Sequence, residues 1–203
     1  MRVRFHDWQV LHIPQLRIDA PCRIALLGPS GAGKSTIAAL LGGFLSRNAT
    51  VSGVIERPDS IGVVSQDAFG ALNPLIPIID QVALTAGSKT QAQQHLEAVG
   101  LGPELQQRYP LQLSGGQRQR AAIAFALGQH PQLLIADEIT SALDPVASAE
   151  VLATLKDLSG AHTNTSLLMI THNVQAAHAL CDRIVHLIPN TAENGFVTQE
   201  SAA

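Results

Sequence analysis

Aromatic residues make up 3% of the 203-residue chain, with a single tryptophan and a single tyrosine. The 46% of apolar residues are therefore almost all aliphatic, which is enough for a buried core. Two cysteines, Cys22 and Cys181, stand far apart and in no metal-ligand spacing. A disulfide framework is excluded on that count, and both read as plain core or surface thiols in a reduced compartment. No run of 18 apolar residues occurs, so no segment reads as membrane-spanning. The start, "MRVRFHDWQV", has charges without an apolar stretch behind them and does not read as a signal peptide. The formal charge of −3 lacks the basic excess that a nucleic-acid footprint or a polybasic membrane anchor requires. Internal repeats and low-complexity tracts are also missing, and the length suits one domain with a subdomain.

What is present is an alternation. Near-continuous apolar runs at 23–28, 60–66, 132–137, 166–171 and 183–188 have the look of strands buried on both faces of a parallel sheet. Helical stretches at 34–45, 90–99, 116–127, 146–158 and 174–179 lie between or beside them. Strand and helix in turn predict an α/β fold. The first 20 residues, together with "VSGVIE", read as a small antiparallel sheet on the side. The stretch 68–113 breaks the alternation with Pro74, Pro77, Pro103 and Pro110. It reads as two short helices opening a helical subdomain, about 68–128, inserted between two core strands. The tail from 189 to 203 is polar and carries no structural signal.

"GPSGAGKST", Gly28, Pro29, Ser30, Gly31, Ala32, Gly33, Lys34, Ser35 and Thr36, follows a strand and opens a helix. It fits the phosphate-binding loop in the context that the loop needs. Glycines let backbone N–H groups curl around phosphate oxygens, and the following helix points its positive end at the same anion. Lys34 can then reach the β- and γ-phosphates and the Ser35 hydroxyl can bind Mg²⁺. "LLIADE" ends an apolar strand on two carboxylates. Such groups at a strand tip are costly unless paired or metal-bound, which makes Asp137 a Mg²⁺ ligand and Glu138 a candidate general base.

Three further residues take their meaning from that company. His172 ends the strand "SLLMITH" and reads as a γ-phosphate contact beside a phosphate loop, although alone it would be structural. Gln66 ends "IGVVSQ", where a neutral amide can bind Mg²⁺ or water and report to the inserted segment. Asp144 in "SALDP" reads first as a helix N-cap with Pro145 at the first helical position. "LSGGQ" opens a helix with Gly115 and Gly116, each costing about 1 kcal/mol against alanine in a helix. Ser114 and Gln117 have capping-box spacing. That box does not explain two glycines, whereas an anion close to bare backbone N–H groups does.

In this order, the phosphate loop, Gln66, "LSGGQ", "LLIADE", "SALD" and His172 resemble the ATP-binding cassette ATPases over roughly residues 1–190. The resemblance implies a P-loop core with a mostly parallel sheet, a small N-terminal antiparallel β subdomain and an inserted helical subdomain. It implies ATP and Mg²⁺, the latter held by Ser35, Gln66 and Asp137, with Glu138, His172 and Gln66 catalytic. It implies a head-to-tail dimer, with a second copy or a paralogue, in which Ser114, Gly115, Gly116, Gln117 and Asp144 contact the partner's ATP in trans. An aromatic before the phosphate loop would stack on adenine, with Trp8 slightly preferred over Phe5. "SQDAFGALNPLIPIIDQV" and "YPLQLSGGQRQR" further resemble the ATPases of oligopeptide and nickel importers. A permease in the membrane, a substrate-binding protein and a place on the cytoplasmic side of the cell membrane follow from that likeness. Ile139 departs from the family, which commonly has proline there. A soluble cassette ATPase acting on DNA or ribosomes is the rival reading, disfavoured by the acidic balance and the short stretch between Gln66 and Leu113.

This reading predicts that Lys34→Ala weakens nucleotide binding itself, not only turnover. Equilibrium titration with ATP checks it, and unchanged affinity would contradict the phosphate-loop assignment.

Overall fold

The apolar runs form five parallel strands, as burial on both faces requires. The computed structural model describes residues 1–5, 8–160, 163–190 and 195–202. The strands are β1 (Arg2–Phe5), β2 (Trp8–His12), β3 (Arg23–Leu27), β4 (Ala49–Ser52), β5 (Ile61–Val64), β6 (Leu133–Asp137), β7 (Ser166–Thr171), β8 (Arg183–Pro189) and β9 (Phe196–Ala202). They make a single sheet in the order β4-β1-β2-β9-β8-β3-β7-β6-β5. From β8 to β5 every pairing is parallel, and all six residues of the central β7 are buried. The mixed, mostly parallel α/β class expected from the alternation is the one observed.

Side chains alternate across this sheet with period two. Ala25, Leu27, Leu134, Ala136, Leu167 and Met169 enter one core cluster, while Ile24, Leu26, Leu133, Ile135, Leu168 and Ile170 enter the other. The second face is covered by α1 (Lys34–Gly42), through Ile37, Ala38 and Leu40. This helix stops short of Leu45 because Gly43 turns left-handed (φ 81°) and returns its N–H to the carbonyls of Ala39 and Leu40.

Two expectations are corrected. The N-terminal strands are not a separate side sheet. β2 runs parallel to β9, with Leu11 beside Phe196, and β9 runs antiparallel to β8, so the antiparallel strands continue the core sheet. The tail thought to carry no signal supplies that joining strand. Its residues 196–198 are half-buried, so no apolar run marks it. Its role is to satisfy the outer backbone edge of β8, a need that side-chain composition does not record.

Between β5 and β6 lie α2 (Ala68–Ala71), α3 (Ile78–Ala86), α4 (Lys89–Ala98), α5 (Pro103–Gln106), a 3₁₀ turn (Pro110–Gln112) and α6 (Gly115–Leu127). Before α6 there are four α-helices, not two. The additional ones are single turns of four residues, too short to show a helical period. Pro103 and Pro110 mark helix starts, where a missing N–H costs nothing. Despite the insertion, β5 and β6 remain direct neighbours, Ile61 beside Leu133 and Val64 beside Ala136. The chain closes with α7 (Pro145–Asp157) and α8 (Val174–Leu180). Cys181 is buried, which pushes its thiol up to about 12, and Cys22 is half-buried; both are free thiols.

Ile123 of α6 is fully buried in the cluster that holds helices of the insert and strands of the sheet together. Ile123→Ala is expected to cost about 2 to 5 kcal/mol. Urea unfolding should show one shifted transition, whereas two separate transitions would mean that the insert folds apart from the sheet.

Candidate active site

Parallel strands deliver their carboxyl ends to one edge of the sheet, and loops leaving that edge can meet. The 28–36 loop leaves β3, Gln66 lies just past β5, Asp137 and Glu138 end β6, and His172 follows β7. Because β7 lies between β3 and β6, His172 stands between the glycine loop and the acidic pair.

The loop is shaped for close backbone approach. Gly31 and Gly33 have φ of 79° and 90°, a region that other residues rarely adopt. At Gly33 a Cβ would also come within 2.8 Å of the Leu11 side chain. Gly33 caps α1 without a side-chain acceptor, which leaves the first-turn N–H groups to be met by an anion.

Lys34 is buried. Its Nζ donates to the carbonyls of Gly28 (2.8 Å) and Pro29 (3.0 Å) and lies 3.6 Å from Glu138 Oε1. The second Glu138 oxygen lies 3.4 Å from Nδ1 of the exposed His172. Glu138 itself is held in an uncommon backbone state, with φ 50°. Its N–H donates to the Ile170 carbonyl (2.9 Å), and its carbonyl accepts from the Ser141 N–H (3.1 Å) and hydroxyl (2.8 Å). Ile139, beside it, is buried in the core and anchors the turn from its other side. A cleft of about 520 Å³ opens between Glu138, Ser141, His172 and the helices α7 and α8.

Asp137 is held in a poorly solvated place. Burial pushes its carboxyl up from the usual carboxylate range, against a hydrogen bond from Ser35 that favours the charged form. Its Oδ1 is buried without a hydrogen-bond partner. A hydroxyl and an orphaned carboxylate oxygen beside a phosphate loop suit a hard, oxygen-seeking cation, so Mg²⁺ fits these residues. Gln66 is exposed, two residues past the strand next to that of Asp137.

The remaining expected residues lie elsewhere. Ser114 and Gln117 form the reciprocal capping box, with N–H···O distances of 3.2 and 3.0 Å, and make no hydrogen bond to the 28–36 loop among the described residues. The two glycines have a reason within the chain as well. A Cβ on Gly116 would stand 3.0 Å from that of Ala147 in α7, and one on Gly115 would stand 3.1 Å from Leu143 Cδ2. Close packing onto the "SALDP" turn thus accounts for bare backbone there without an anion, which the sequence reading did not foresee. Asp144 caps α7 as expected, its Oδ1 accepting from Val146 and Ala147 at 3.0 Å. Phe5 packs against the α1 face of the core, and the Trp8 side chain lies outside the described residues. Sequence reasoning does not single out Gln119, whose one signal is an amide on the apolar stripe of α6.

Comparison with known proteins gives a consistent set. A family described as ABC transporter matches residues 11–141. The chain is 40% identical over 191 residues to the aliphatic sulfonates import ATP-binding protein SsuB 2 of Xanthomonas axonopodis pv. citri, covering 91% of this chain and 64% of that protein. It therefore spans under two thirds of that relative's length. It is 34% identical over 204 residues to the thiamine import ATP-binding protein ThiQ of Vibrio vulnificus, covering 94% of this chain and 86% of that protein. The dimeric ATP-binding cassette MJ0796 in a post-hydrolysis state with ADP and phosphate superposes with a TM-score of 0.74 at 26% identity, over 92% of this chain and 88% of that one. An inward-facing metal-chelate type ABC transporter superposes with a TM-score of 0.76 at 29% identity, over 95% and 76%.

The raised Asp137 value means that the native state holds this proton more tightly than the unfolded chain. Its contribution therefore turns unfavourable as pH rises above the unfolded value of about 3.9 and through the higher folded one. Asp137→Asn is expected to melt at or above the wild-type temperature without nucleotide at pH 7, the difference closing as pH falls. The extra stabilisation that Mg²⁺ adds to ATP should vanish in the variant. Thermal melts with ATP, with and without Mg²⁺, check both, and a Mg²⁺ increment that survives in the variant would remove Asp137 as a ligand.

Proposed function

The chain belongs to the ABC transporter family of ATP-binding cassette ATPases, and from that premise we propose that it is the ATP-binding and ATP-hydrolysing subunit of an importer, energising a separate membrane permease. The observation that carries this reading is the Lys34–Glu138–His172 constellation beside the glycine loop, with one Glu138 oxygen toward each partner. Nucleotide arrival lets the Lys34 ammonium exchange the Gly28 and Pro29 carbonyls for phosphate oxygens. Freed from that ion pair, Glu138 accepts the proton of the attacking water, and His172 fixes the carboxylate and the terminal phosphate in relation to each other. Ser35, Asp137 and Gln66 would hold Mg²⁺, which neutralises phosphate charge. The left-handed backbone at Glu138 and the Ser141 bonds behind it keep the base in place while this happens.

Among the described residues the "LSGGQ" helix start makes no hydrogen bond to its own phosphate loop and closes only its own capping box. We assign Ser114, Gly115, Gly116 and Gln117, with Asp144, to the ATP of a second subunit in a head-to-tail dimer, either a copy or a paralogue. The inserted helical subdomain, about 68–128, would receive the permease and hold the protein at the cytoplasmic side of the membrane. No described helix is long and apolar enough to cross a membrane by itself. The relatives named above import aliphatic sulfonates and thiamine, and one solved neighbour is of the metal-chelate type. Of the cargo that the middle segment suggests, peptides or nickel and metal chelates, those names favour the chelates, alongside small organic solutes, and they favour import over action on DNA or ribosomes. A substrate-binding protein would complete the system.

Glu138→Gln is expected to keep ATP binding while steady-state turnover falls on the order of 10²-fold or more. The ATP-bound variant should elute as a dimer in gel filtration. Full activity in this variant would remove Glu138 as the base.

A further inference from the structure

The buried stripe of α6 runs through Gly116, Gln119, Ala122, Ile123 and Ala126. Four of these are small or apolar. Gln119 is an amide only 3% exposed, and an amide loses free energy in such a place unless its hydrogen bonds are met. Its Nε2 donates to the carbonyl oxygen of Ser65 at 3.2 Å, across 54 positions of chain. That carbonyl belongs to the peptide unit joining Ser65 to Gln66. A leucine or methionine would fill the stripe as well, so packing does not call for the amide.

The first turns of the same helix are tied down in a different way. Its capping box is closed at Ser114 and Gln117, Gly116 packs against Ala147, and Arg120 pairs with Glu150 of α7 at 3.3 Å. Only five residues separate Ser114 from Gln119, about 7.5 Å along a rigid helix. Gln119 is therefore one described polar link from the Gln66 peptide to the helix whose start is "LSGGQ", next to the attraction between Arg118 and Asp67.

We propose that Gln119 is a positioning residue that couples Gln66, at a subunit's own ATP, to the "LSGGQ" helix start at its partner's ATP. This rests on the dimer reading above. A shift of the Ser65–Gln66 peptide moves the Gln119 amide and with it α6 as a body, so the two nucleotide sites of a dimer are set together. Gln119 touches neither nucleotide.

The test compares Gln119→Met and Gln119→Leu, which keep bulk but lose the donor, with the wild type. ADP affinity, which needs only the phosphate loop, and the melting temperature should remain near wild type. Turnover at saturating ATP should fall about tenfold with KM little changed, in keeping with one lost hydrogen bond. In a Glu138→Gln background, either substitution should raise the ATP concentration needed for the dimer in gel filtration. Unchanged turnover and an unchanged dimer midpoint would overturn the inference while leaving the dimer reading intact. Loss of ADP binding together with a collapsed melting temperature in both variants would overturn it too, by making Gln119 a packing residue. If Glu138→Gln alone stays monomeric with ATP, the dimer reading falls and takes the inference with it.

Discussion

A lysine and two carboxylates stand at the carboxyl edge of a sheet whose strands are almost wholly apolar. Lys34 is buried between the Gly28 and Pro29 carbonyls and Glu138, and the rest of the site is arranged about that contact. Without it, the buried ammonium would keep only neutral carbonyl partners and the half-buried carboxylate only His172, in a poorly solvated place. With it, the phosphate loop is held in shape around a cation that can change partners when a more strongly charged ligand arrives. The orphaned Asp137 oxygen beside Ser35 is the complementary feature, an acceptor waiting for positive charge.

Glu138 meets that lysine only because its backbone is forced to. A left-handed residue without a glycine's freedom costs energy, and the turn is held by Ile139 in the core and by Ser141 on the Glu138 carbonyl. The same turn leads into Leu143 and Asp144, so the segment that aims the base also packs on the start of α6. Glu138, the Asp144 cap and the start of α6 share one set of contacts.

The two glycines of "LSGGQ" take on a double meaning in this setting. Their small size lets α6 approach Leu143 and Ala147, an internal reason that needs no ligand. The same bare start still presents helix N–H groups, so the anion-binding reading survives beside the packing one. What the structure adds is that the helix start is stiff, capped at Ser114 and clamped along its buried side.

The local motifs were legible in the sequence because each is a short-range demand. A phosphate loop needs glycines and a lysine at fixed spacing, a buried parallel strand needs a continuous apolar run, and a helix start needs Asp144 or Ser114. Five core strands, the long helices and the glycine loop with its acidic strand end could be read that way. Long-range pairing could not. That β9 would join the N-terminal strands to the core depends on the open edge of β8, and no residue of the tail announces it. That Gln119 would reach Ser65, that Gly116 would meet Ala147 and that Glu138 would lie between Lys34 and His172 depends on which strands the sheet sets side by side. Spacing along the chain determined which chemistry was available, and the sheet order, set by backbone pairing, decided which of those groups meet.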